Sequence, residues 1–76
     1  MKRFICWYAY QGMETEGRLV LEEPKIIDAN SVGEATWIWH TKHRNVDMKD
    51  IYGSYEAYIE KGDFTGWGGW CEELAN

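Results

Sequence analysis

Cys6, His40, His43 and Cys71 are the side chains with the widest chemical reach in this chain. Thiolates and imidazoles can close a tetrahedral zinc site, and a cysteine beside a histidine can act as an activated nucleophile. His40 and His43 lie three residues apart, near enough on a helix to share one ion. Neither cysteine belongs to a Cys-x-x-Cys knuckle, so four ligands would have to converge through tertiary folding alone. No nucleophile motif surrounds either cysteine. Gly66-Trp67-Gly68-Gly69 lacks the lysine and hydroxyl of a phosphate-binding loop. The sequence therefore predicts neither an enzyme nor a metal or cofactor site.

The two cysteines stand near opposite ends of a chain that shows no sign of secretion. Two buried free thiols are the expected state, in a protein kept in the cytoplasm. The alternative is a disulfide that staples the first strand to the tail. Closing so long a loop is worth about 4 kcal/mol.

Aromatic chemistry is more abundant. Seventy-six residues hold five tryptophans, five tyrosines and two phenylalanines. So short a chain buries only about 60% of the surface it exposes when unfolded, which leaves little interior for such rings. Trp67 and Trp70 sit in a glycine-rich run, and Glu72 and Glu73 follow directly. Either the glycines let the tail turn so that its indoles cap the sheet, or the indoles anchor a partner. Trp37 poses the same choice, because helical spacing points it away from the apolar face. The tail tryptophans could cover it, or another chain could.

Charge divides the sequence in two. Residues 1–49 carry seven acids and seven bases, whereas residues 50–76 carry six acids against Lys61 alone. The whole excess of −5 therefore falls in the last third, beside Tyr52, Tyr55, Tyr58, Phe64, Trp67 and Trp70. An acidic, aromatic surface repels nucleic-acid phosphates and attracts basic proteins. The partner-binding candidates are Trp67, Trp70, Glu72 and Glu73, with Trp37, Tyr58, Glu56 and Glu60 as a second group.

Strands and one helix must position these groups. Lys2 to Gln11 reads as a strand, with Phe4, Cys6, Tyr8 and Tyr10 on one face and Ile5, Trp7 and Ala9 on the other. Both faces are apolar, which predicts a central strand covered on both sides. A loop over Gln11 to Gly17 leads into a second strand, about Arg18 to Glu23. Pro24 breaks it, and Ile26-Ile27 continue it on an edge. Ser31-Val32-Gly33-Glu34 fits a helix-capping box, and helical periodicity runs to about His43, with Val32, Ala35, Thr36, Trp39 and His43 on one side. A connection with one helical turn at Asp47 to Ile51 follows. Ser54 to Glu60 alternates as a half-buried strand, Phe64 to Trp67 suggests a short fourth, and Trp70 to Asn76 a frayed tail or single turn. The expectation is one α+β domain over residues 1–76, in the order β-β-α-β(-β), with one helix on a small, mostly antiparallel sheet. No stretch approaches the roughly 20 apolar residues needed to span a bilayer.

In size, acidity and lack of catalytic motifs, the chain resembles small phage-encoded antagonists of host defence, the anti-CRISPR proteins among them. That resemblance implies a non-catalytic inhibitor of a nucleic-acid-handling or defence protein, reached through the partner's basic surface. Two other readings use the same rings. Trp37, Trp67 and Trp70 could line an aromatic slot for a nucleotide, a sugar or a cationic metabolite. Alternatively, exposed rings could bury one another in a homo-oligomer.

Overall fold

The run of β-branched and aromatic residues at the amino terminus forms β1 (Lys2–Tyr10), and every other strand among the described residues pairs with it in the antiparallel sense. This computed structural model describes residues 1–10, 16–64 and 69–74. β2 (Val20–Leu21) pairs with Ala9 and Tyr10, while β3 (Lys25–Ala29) pairs with Lys2 to Cys6. Pro24 separates the two, and the register on β1 shifts by one residue across it. The expected second strand is thus confined to two residues, with Leu19 left exposed beside it. Turn geometry at Glu16 and Gly17, both at positive φ, precedes it.

α1 (Val32–Ile38) starts where the capping residues place it. The Ser31 hydroxyl accepts from the Glu34 N–H at 3.2 Å, and the Glu34 carboxylate accepts from the Asn30 N–H at 3.0 Å. A π-helical turn over Trp39–His43 carries the helix to its predicted end. Wider winding changes which side chains face inward. Trp39 and His40 are buried, whereas His43, expected on the inner face, is exposed. α1 lies on one face of the sheet, where Phe4, Cys6, Ile27, Ala29, Ala35 and Trp39 form the core.

Two short helices follow. α2 (Met48–Tyr52) is capped by Asp47, whose carboxylate accepts from the Asp50 N–H, and it buries Met48. α3 (Tyr55–Lys61) occupies the segment expected to be a strand. Tyr55 and Ile59 equally fit one helical face with Tyr58, with Ala57 on the exposed side, and the ends decide the matter. The Ser54 hydroxyl accepts from the Ala57 N–H at 3.1 Å, and Gly62 closes the helix with φ of 74°. Serine before and glycine after are strong helix boundaries, because a hydroxyl serves orphan amides and glycine adopts the left-handed cap cheaply.

β4 (Gly69–Glu73) corrects the reading of the tail as frayed or helical: it runs along β1 from Phe4 to Tyr8. Phe64 lies outside any strand, and the rest of the expected strand from Phe64 to Trp67 falls outside the described residues. The fold is therefore a small α+β domain whose antiparallel sheet carries helices, with one helix more, α3, among the described residues than expected. Gly69 permits the close approach of β4 to the core. A Cβ at this position would meet Cζ3 of Trp39 and sit 2.6 Å from its Cη2. Gly69→Ala should therefore displace the indole and cost about 1–3 kcal/mol, read as a lower denaturant midpoint at unchanged slope. An unchanged midpoint would show that Trp39 yields freely.

Candidate interaction surface

The β1–β4 register sets Cys6 opposite Cys71, and the two are joined by a disulfide. This overturns the expectation of two free thiols. The pairing of the last strand with the first brings the two sulfurs together, whatever the compartment. It also removes the Cys₂His₂ arrangement, since each sulfur is bonded to the other. His40 and His43 diverge across the π turn, one buried and one exposed. Among the described residues, no three His, Cys, Asp or Glu side chains converge as metal ligands.

His40 is held neutral. Arg44 Nη1 lies 3.2 Å from its Nδ1, and a guanidinium can only donate, so Nδ1 accepts and the ring proton resides on Nε2. Burial, and then the Arg44 charge, lower the His40 pKa from 6.5 to about 4. The same guanidinium lies 4.3 Å above the Tyr8 ring and 5.2 Å from that of Trp39. With both cysteines bonded, this imidazole has no thiol to activate.

The described tryptophans divide into three environments. Trp39 is core. Trp37, half-buried, makes an edge contact with Tyr55 at 5.4 Å and a tilted contact with Tyr58 at 5.5 Å. α3 therefore covers the outward indole, a solution hidden while its segment read as a strand. Tyr58, expected at the surface, is only 2% exposed. Its hydroxyl donates to Thr36 Oγ1 at 2.9 Å, and its ring meets Tyr52 and Phe64. Glu56 and Glu60 are exposed on α3, which packs on α1 and α2.

The third environment lies on the opposite face of the sheet. Residues directly opposite in antiparallel strands share a face, so Ile5 and Trp7 of β1 join Ile26 of β3 with Trp70 and Glu72 of β4. Trp7 and Trp70 stack with centroids 6.1 Å apart and planes 24° from parallel. Trp70 remains 39% exposed and Ile26 54%. The expectation that both faces of β1 are covered is thus corrected: α1 covers the side of Phe4 and Cys6, and this second side is left partly open.

Of the proposed site residues, the fold brings Trp70 and Glu72 together. Glu73 points to the other face and pairs with Lys2 at 3.6 Å. Trp37, Tyr58, Glu56 and Glu60 belong to the helical side, and Trp67 lies outside the described residues. Ile5, Trp7 and Ile26 were not among the candidates, although the strand period had already placed Ile5 and Trp7 on one face. No family model, curated protein or solved structure matches the chain.

Proposed function

We propose that this chain is a non-catalytic interaction domain that docks through the open face of its sheet. The stacked Trp7–Trp70 pair beside an exposed Ile26 carries this reading. Large rings left half in water are the anchors from which binding hot spots are made. The acidic version of the site is weakened, because Glu72 alone among the four candidate carboxylates shares the face. Glu56 and Glu60 sit on the helical side, so the rings call for a partner that is itself apolar more than for a basic one. An aromatic slot gains no support either. Trp7 and Trp70 occupy one another, and the contacts of Trp37 are with α3.

The Cys6–Cys71 disulfide favours an oxidising compartment over the cytoplasm, since disulfides persist where thiols are not kept reduced. Among the described residues no helix is long and apolar enough to cross a membrane.

Two paired variants test the reading by affinity capture, with untagged copies of the chain counted among the bound proteins. Ile26→Lys/Trp70→Lys should lose the proteins held by the wild type, while Glu56→Lys/Glu60→Lys should keep them. The reverse pattern would move the site to α3, and identical capture by all three proteins would remove the sheet face from consideration.

A further inference from the structure

We infer that the occupant of the open sheet face is a second copy of this chain, stacked sheet on sheet about a two-fold axis. This rests on the docking role just proposed and names the partner. The face is poor in net charge: Arg3 and Asp28 form an ion pair on it at 3.3 Å, leaving Glu72 as its uncompensated acid. A surface that is apolar at its centre and nearly neutral at its margin complements another of the same kind.

The charge of the whole molecule does not oppose this pairing. Among the acids of the excess, Glu56 and Glu60 lie on α3, which packs on α1, and α1 covers the other side of the sheet. The molecule is a slab with extents of 38 × 34 × 19 Å. Face-to-face stacking turns these acids outward, separating them by more than the Debye length of about 8 Å at physiological ionic strength. Like-charge repulsion between copies is then screened where it would matter.

The margin is self-complementary as well. Arg3, with 62% of its side chain exposed, neighbours Glu72 on this face. In a two-fold interface each contact occurs twice, so Arg3 of each copy can meet Glu72 of the other. Two inner sheet faces interdigitating about 10 Å apart would place both Trp7–Trp70 pairs in a common dry layer.

Sedimentation equilibrium over a concentration series tests the inference on the intact, disulfide-bonded protein. The wild type should approach twice its monomer mass. Trp70→Lys and Ile26→Lys should each weaken association by about thirtyfold or more, as loss of an anchor does at other interfaces. Glu56→Lys/Glu60→Lys should associate at least as well as the wild type. Far-ultraviolet circular dichroism on each variant establishes that it is folded. A wild type that remains monomeric at every concentration overturns the second copy, whatever the variants do. If Trp70 and Ile26 are still required for capture in that case, the face remains a docking site for another protein. A dimer that persists in both sheet-face variants places self-association elsewhere and also overturns the inference.

Discussion

Reducing the Cys6–Cys71 disulfide is expected to lower the stability of the domain by about 4 kcal/mol. The bond spans a sequence separation of 65, so it closes most of the chain into one loop and removes much of the entropy of the unfolded state. Domains of this size stand near the lower end of the usual 5–15 kcal/mol, so the loss is a large share of the total. With about 4–8 °C per kcal/mol for a small domain, the melting temperature should fall by more than about 15 °C. Melting followed by circular dichroism, with and without reductant, measures this directly, and a Cys6→Ala/Cys71→Ala variant should match the reduced protein. Equal melting temperatures in both redox states would deny the bond a stabilising role. Two alkylatable thiols in the non-reduced protein would deny the bond itself. The expected loss should be felt first at β4, the strand that carries Trp70.

That bond also marks where sequence reasoning stops. Local signals were sufficient for β1, for the start of α1 at Ser31 and for the turn at Asp47, because each is written in neighbouring residues. The pairing of β4 with β1 is not local. Nothing within Trp70-Cys71-Glu72 states that it will lie beside Phe4 to Tyr8, so the tail read as frayed and the thiols as free. α3 failed for another reason: Tyr55, Tyr58 and Ile59 satisfy a helical stripe while Tyr55, Ala57 and Ile59 satisfy a strand. Weighing Ser54 and Gly62 as caps would have settled the ambiguity. It would also have found the cover for Trp37, since Tyr55 and Tyr58 then project from a second helix. The candidate site was half legible. Trp70 and Glu72 were recognised by type, and Ile5 and Trp7 were assigned a common face, but only the one-sided placement of the helices shows that this face is open.

Acidification should destabilise the domain through His40. Its pKa is about 4 in the fold and 6.5 as the ordinary value, so between these limits the unfolded chain binds a proton that the native state refuses. Stability consequently rises with pH across this window and is fully present above about pH 6.5. Falling pH should cost about 2 kcal/mol by pH 5 and approach about 3 kcal/mol near pH 4. His40→Gln should flatten this part of the profile, because an amide oxygen can accept from Arg44 and does not titrate. Denaturant midpoints measured across the window decide the matter, and an equal acid slope in wild type and His40→Gln would assign the loss to other groups. Burial of the ring is the larger cause, and the Arg44 contact adds to it. Protonation would put a positive imidazole 3.2 Å from a guanidinium that cannot give up its charge. Arg44 can relieve this only by leaving the rings of Tyr8 and Trp39, and Trp39 is the ring against which Gly69 lets β4 settle. The acid-sensitive contact and the disulfide thus act on the same strand, one through the core side of Gly69 and the other through Cys71.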